Sequence, residues 1–364
     1  MKVLYLDLLS SVGHKNLNKI FVELLKELAS LDVSWKEGYI EDEAFLNTAR
    51  NFYPVPKIYY NFNSKVDYRI KNIKKIKWVF KNIDIGSYDL IFISSYETIS
   101  FALAWPRAMR ARVLILNHNN LDELKDFLKK FFFKKIPKYV EHIVFEEYMK
   151  EHIVENIRIS NKIWVIHHPI AVDKVQDYQQ LSKSKISKGA FLNSLLIFAP
   201  STSNDENFIS QLINLQKEEG FLNSTAFRLL MKSKQSEYQD DHLIVTKKYF
   251  TYKEYLTYLG NASLLLLPYP KDFKYRISGV LFDAFAFKKK IIASSIPIFN
   301  YFVGKYPFVG KIFNNIQEFK EIIYFYDDQL KNANFQDDMF FEKIQNIYSI
   351  RSIKEEIQRM LGVA

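Results

Sequence analysis

Residues 2–9 form an almost wholly apolar run that ends in the loop Ser10-Ser11-Val12-Gly13-His14. Leu17, Ile20, Phe21, Leu24, Leu25 and Leu28 follow at the i, i+3, i+4 spacing of a helix with one apolar face. The opening therefore reads as strand, loop, helix. Residues 90–93, 113–116 and 142–145 are short apolar runs of buried-strand length, separated by helical patterns. Strands alternating with helices predict a parallel sheet covered on both faces. The pattern then restarts. Residues 163–170 read as a strand stopped by Pro169, and residues 173–189, ending QQLSKSKISKG, read as a linker or irregular connection. A second strand series is predicted at 195–199, 227–231, 243–245, 263–267 and 290–293. Two α/β halves result, followed by one helix over 344–361 with Ile347, Ile350, Ile353, Ile357 and Leu361 at helical spacing, packed on the body of the protein. Open sheets of this kind bind ligands at the carboxyl ends of their strands, and two that face each other enclose a cleft.

The chain has 364 residues, 48% hydrophobic and 25% charged, the make-up of a folded protein with room for two ordinary domains. It has no cysteine, which excludes a disulfide framework, a thiolate nucleophile and a zinc–cysteine site. The first apolar run meets Gly13, His14 and Lys15 too early for a secretory signal, and no stretch reaches the roughly 20 apolar residues that span a bilayer. The expected location is the cytoplasm. A net charge of +10 implies an anionic partner, with much of the excess over residues 57–81 and 125–138. Nucleic acid, an anionic membrane and a phosphorylated substrate all supply that charge, and a solvated basic face needs none of them.

Residues 264–293, LLLLPYPKDFKYRISGVLFDAFAFKKKIIA, read as a buried strand, a proline-bearing loop, a Ser-Gly helix start, a helix and a second strand. Backbone N–H groups at Ser278, Gly279 and Val280 would make the helix start a site for a diphosphate. Gly279 permits close approach of the backbone, and Arg276 adds a fixed positive charge. Asp283, about one turn into the helix, is placed to accept from a ribose diol. Taken singly, Ser278-Gly279 is a helix cap and Asp283 a solvated carboxylate; the combination points to a nucleotide.

The segment resembles the nucleotide-binding region of the group 1 glycosyltransferases, the large retaining GT-B family. Asp283 matches the family's second acidic position, which holds the ribose hydroxyls. Tyr275 stands where the first glutamate is expected, and Lys288-Lys289-Lys290 replaces the usual Gly-Lys-Pro turn. The Arg-x-Ser-Gly-Val-Leu form looks like the capsule and exopolysaccharide branch. The resemblance implies an α/β GT-B fold of two Rossmann-like domains facing an interdomain cleft. Residues 1–172 would bind the acceptor, with the helix at about 344–364 packing back on them, and residues 173–343 would bind the nucleotide-sugar. It further implies retaining transfer without metal, the nucleotide-sugar being a substrate and no cofactor being needed.

Other positions follow from the same resemblance. Residues 113–119, VLILNHN, resemble the strand-end histidine of these transferases and make His118 the catalytic-site candidate. A neutral imidazole there bonds sugar hydroxyls or shares developing charge; a capping or core histidine is the other reading. Gly13 and Lys15 match the family's first loop, which faces diphosphate and acceptor. In residues 198–205, FAPSTSND, the family's Arg and Lys are missing. Ser201 and Ser203 stand there as donors or as a helix cap. Compensating charge then falls to Arg276, Lys232 or Lys234. Tyr249-Phe250-Thr251 fits the base-contact segment, or else the core. No P-loop, Gly-x-Gly-x-x-Gly or Asp-x-Asp element is present, and the adjacent pair His167-His168 is poorly spaced for zinc.

The expected function is hexosyl transfer from a nucleotide-sugar to a glycan or lipid-linked acceptor in surface polysaccharide synthesis. Residues 129–139, KKFFFKKIPKY, mix cations with aromatics and suit peripheral contact with an anionic membrane at its inner face, or a part-buried core edge with solvated lysines. No nucleic-acid motif accompanies the charge, so no nucleic acid is expected. A sugar-nucleotide epimerase of the same architecture and a non-catalytic nucleotide-binding subunit are the alternatives.

Overall fold

The computed structural model describes residues 1–11, 14–40, 49–170, 173–183, 195–331 and 338–363. They form two compact units. The first comprises Met1–Pro169, Tyr275–Ile277 and Ile350–Ala364; the second comprises Ile170–Lys274 and Ser278–Ser349.

The first unit is built on strands β1 (Lys2–Asp7), β2 (Ser30–Lys36), β3 (Asn51–Val55), β4 (Leu90–Ser95), β5 (Arg112–Leu116), β6 (Val140–Val144) and β7 (Ile163–Val165). All neighbours pair in parallel in the order β3-β2-β1-β4-β5-β6-β7. β1, β4 and β5 are buried almost throughout, which is why apolar runs fill them apart from polar residues at their ends. β2 and β3 are not foreseen in the sequence. β2 reads SLDVSWK, with Asp32 and Ser34 buried and partnered: the Tyr88 hydroxyl donates to Asp32 at 2.6 Å, and Ser34 Oγ donates to the Tyr53 carbonyl at 2.7 Å. β3 contains Pro54, which an edge strand tolerates.

The second unit contains β8 (Leu195–Ala199), β9 (Phe227–Lys232), β10 (Tyr238–Gln239), β11 (Leu243–Thr246), β12 (Ala262–Leu267), β13 (Lys290–Ser294) and β14 (Gly310–Phe313). Their order is β10-β11-β9-β8-β12-β13-β14, and only the short β10 runs antiparallel to its neighbour. The helix Glu206–Glu219 buries Phe208, Ile209 and Leu212 in a core shared with Phe313 and Phe319; Asp205 caps its start, and Gly220 ends it in a left-handed conformation.

Two sequence expectations are corrected. Residues 173–183, expected to be irregular, are the helix Asp173–Lys183. Its apolar contribution is small, so periodicity gave no signal. The Tyr178 ring fills the notch at Gly260, where a Cβ would come within 2.2 Å of it. The single helix expected over 344–361 is two helices, Asp338–Ile347 and Ile350–Leu361. The break falls beside Tyr348, buried against Phe282 and Phe302 of the second unit. The later helix buries Ile353, Ile357 and Met360 in the first unit, where Arg112 Nη1 donates to the Met360 carbonyl at 2.8 Å. The apolar positions of one apparent helix thus serve two cores. No described helix is long and apolar enough to cross a membrane.

Candidate functional site

In the second unit the loop after β12 leads into the helix Gly279–Ala286. Ser278 is its N-cap: the Oγ accepts from the Leu281 N–H at 3.3 Å and shares a 2.8 Å hydrogen bond with the Tyr269 hydroxyl. The N–H groups of Gly279 and Val280 precede the first intrahelical bond and belong to the set that a helix leaves for an outside acceptor. A Cβ built on Gly279 meets nothing within 4 Å, so the backbone borders open space. One turn on, Asp283 is buried. Its carboxylate accepts from Lys174 Nζ at 2.7 and 2.8 Å and from the Tyr255 hydroxyl at 2.5 Å. Burial, then the Asp283 charge, pushes the Tyr255 phenol well above its usual range, so it stays a donor.

Ser201 and Lys232 lie at the ends of neighbouring strands β8 and β9. Ser201 Oγ accepts from the Ser203 N–H at 3.0 Å, and Asn204 ties the two strand ends by donating to the carbonyls of Ala199 and Lys232 at 3.0 and 2.9 Å. Lys232 is buried. Its ammonium donates to the carbonyls of Ser233 and Lys247 and lies 4.4 Å from the centre of the Tyr249 ring, and burial lowers its pKa. The Lys234 side chain is exposed. Tyr249 is exposed, Phe250 packs on Phe198 and Tyr258, and Thr251 caps the helix Tyr252–Asn261 through a reciprocal pair with Glu254.

In the first unit Asn117, at the end of β5, is buried and bonded to Tyr96 and Ile143. His118 follows it. The His14 ring meets its edge at 4.5 Å and the Phe145 ring at 5.6 Å. His118 Nδ1 is sealed from solvent with no hydrogen-bond partner. Burial, reinforced by positive charge at His14, His168 and Arg276, holds its pKa well below 6.5. Burial also lowers the pKa of His14, against the opposing pull of Asp7. Both imidazoles border a cavity of about 140 Å³ that Ser11, Tyr68, Glu97 and Glu123 also line. Lys15 begins the helix Lys15–Lys26, its ammonium 5.5 Å from the centre of the Tyr39 ring. Gly13 lies outside the described residues. Nearby, Lys75 is fully buried, donates to the Leu8 carbonyl at 2.5 Å and sits 4.1 Å from the Tyr60 ring centre.

Arg276 clusters with the first unit, whereas Ser278, Gly279, Val280 and Asp283 share one helix of the second. Arg276 Nε donates to the buried Asp122, which also accepts the Tyr275 N–H at 2.6 Å, and Tyr275 stacks on His152 at 3.6 Å. Asp122, Lys174 and His14 were not singled out for the site in the sequence, and each lies about a hundred residues or more from the residue it serves. His167 bonds Glu356 while His168 Nδ1 faces the Pro169 carbonyl. The helix Phe127–Phe133 exposes Phe127, Leu128 and Phe131 beside lysines and buries Phe133.

No protein-family model matches the chain, and no curated protein matches its sequence. Solved structures do match it over their whole length. Sucrose-phosphate synthase from Thermosynechococcus elongatus is 11% identical, with 99% of this chain and 98% of that chain covered and a TM-score of 0.70. HepE from Anabaena in complex with UDP is 11% identical, covered 100% on both sides, with a TM-score of 0.64. UDP-GlcNAc 2-epimerase from Neisseria meningitidis bound to UDP-GlcNAc is 13% identical, covered 99% on both sides, with a TM-score of 0.57. The first two are GT-B glycosyltransferases. The chain therefore has the two-sheet α/β fold found in GT-B glycosyltransferase structures.

Proposed function

We propose that this protein is a glycosyltransferase that takes a UDP-sugar and passes the sugar to a glycan or lipid-linked acceptor, in the assembly of a surface polysaccharide at the cytoplasmic face of a membrane. The observation that carries the reading is the start of the helix Gly279–Ala286: outward N–H groups, a glycine bordering open space and a buried carboxylate one turn on. That set suits a nucleoside diphosphate, with the phosphates on the helix N-terminus and the ribose at Asp283. UDP is the nucleotide of choice because HepE and the epimerase are complexed with uridine nucleotides. Ser201 and Lys232 complete the donor set within the second unit. His118 acts on the sugar as a neutral imidazole, and Lys15 faces the acceptor. Transfer is retaining, and helix dipole and basic side chains neutralise the leaving diphosphate without metal.

Thermal unfolding with nucleotides tests this. At 100 times its Kd, UDP is expected to stabilise the protein by about 2.7 kcal/mol, with or without EDTA. Gly279→Ala is expected to leave the ligand-free Tm unchanged, because the added methyl meets open space, and to weaken UDP about tenfold by standing in the phosphate position. If none of UDP, GDP, ADP and CMP shifts the Tm, the donor reading fails. The epimerase neighbour supports a second reading, isomerisation of the UDP-sugar itself. Formation of a new UDP-sugar without any acceptor would select it.

The exposed Phe127, Leu128 and Phe131, with the Lys135 ammonium 5.3 Å from the centre of the Phe131 ring and Lys134 and Lys138 also exposed, support peripheral contact with an anionic bilayer. Sedimentation with vesicles should therefore give binding to phosphatidylserine-containing vesicles and not to pure phosphatidylcholine. Substituting both Phe127→Ser and Phe131→Ser is expected to lower that partition at least tenfold, since each ring contributes about 2 kcal/mol when buried. Equal binding by the variant would remove the membrane from the reading.

A further inference from the structure

Asp283 has too few open acceptor positions for the task just given to it. An ionised carboxylate offers about four, two on each oxygen. Lys174 Nζ donates to both oxygens, and the Tyr255 hydroxyl donates to Oδ2. Oδ2 is therefore filled, and one position remains on Oδ1. A ribose diol that donated both protons to this carboxylate would find a place for only one.

Lys174 has the complementary surplus. An ammonium carries three donors, and two are spent on Asp283. Its side chain is 20% exposed against 6% for Asp283, so the lysine is the more accessible member of the pair. The ammonium also cancels the carboxylate charge, which would otherwise oppose a nearby diphosphate. The placement is built in. On the helix Asp173–Lys183, positions 174, 177 and 178 share one face. Asp177 accepts from the Tyr252 hydroxyl at 2.6 Å, and Tyr178 fills the Gly260 notch. These contacts with the helix Tyr252–Asn261 fix the turn that presents Lys174 to Asp283.

We infer that Lys174 is a donor-binding residue that reads the ribose jointly with Asp283. One ribose hydroxyl donates to Asp283 Oδ1, and Lys174 Nζ donates to the oxygen of the other. This inference rests on the UDP-sugar reading and adds a cation to its ribose contact.

Calorimetric titration of UDP, 2′-deoxy-UDP and 3′-deoxy-UDP against the natural protein, Lys174→Met and Asp283→Asn separates the possibilities. Both deoxy analogues are expected to bind the natural protein about tenfold or more weaker than UDP, the size of a hydrogen bond to a charged group. In Lys174→Met, UDP weakens by a similar factor and one analogue, the same one in every repeat, loses its disadvantage. In Asp283→Asn the other analogue does so. Should Lys174→Met fail to fold, Lys174→Leu carries the same comparison, and ligand-free melting curves check each variant. If the lysine variant binds UDP as tightly as the natural protein or tighter, or keeps full discrimination against both analogues, Lys174 is not a ribose contact and the inference falls, while the donor reading stands. If the natural protein binds no UDP, the donor reading itself falls.

Discussion

His118→Ala is expected to lower turnover of a UDP-sugar a hundredfold or more while leaving UDP affinity within about threefold. The ring follows the buried Asn117 at the end of β5 and is held between His14 and Phe145. Its buried Nδ1 bonds nothing, so alanine strands no partner and the fold survives. On the proposed reading the variant loses a preorganised dipole directed at the sugar, and removing one such group typically costs about a hundredfold to a thousandfold in rate. The pH profile adds a second measurement. Burial and neighbouring positive charge hold the His118 pKa well below 6.5, so activity should show no His118 titration near 6.5. Steady-state kinetics of the variant, and of the natural protein from pH 6 to 9, decide the matter. Unchanged turnover in His118→Ala, or a limb near 6.5 that the substitution abolishes, would remove the neutral-imidazole role.

The second large effect concerns stability. Lys75 is buried with one carbonyl partner, and its pKa falls from 10.5 to about 7, chiefly through burial, against the opposing pull of Asp7 and Glu97; Lys36 adds to the lowering. Between those values the unfolded chain binds the proton and the folded protein does not, so stability must rise with pH across the window from 7 to 10.5. Below pH 7 the folded protein holds a charged ammonium in its core and the benefit is gone. The full difference is about 5 kcal/mol, and about 2 kcal/mol of it falls between pH 7 and 9. Urea unfolding at pH 6, 7, 8 and 9 should show this slope in the natural protein and not in Lys75→Met, which is also expected to be the more stable of the two at pH 6. Parallel pH dependences in the two proteins would mean that Lys75 keeps its charge when folded.

What the sequence disclosed and what it hid divide by chain separation. The segment over 264–293 was legible because strand, loop, cap and helix follow one another within thirty residues, and each has a local signature. Partnerships across the fold left none. Lys174 sits 109 residues before Asp283, in a stretch too polar to announce a helix. Asp122 lies 154 residues before the arginine it holds. The buried β2 escaped notice because Asp32 and Ser34 interrupt its apolar run, their cost offset by hydrogen bonds that only the folded sheet supplies. Lys75 was hidden differently. It lies in a lysine-rich stretch that reads as one solvated basic face, yet that single member points inward.

The return of the chain to the first unit at Ile350 bears on how the protein is made. Residues of the second unit end at Ser349, so all of them have been synthesised before the helix Ile350–Leu361 exists. That helix supplies Ile353, Ile357 and Met360 to the first unit and seals the strand end at Arg112. On a ribosome adding about 5–20 residues per second that helix follows within about a few seconds, so the first unit, although begun first, closes its core only after the residues of the second unit have been made.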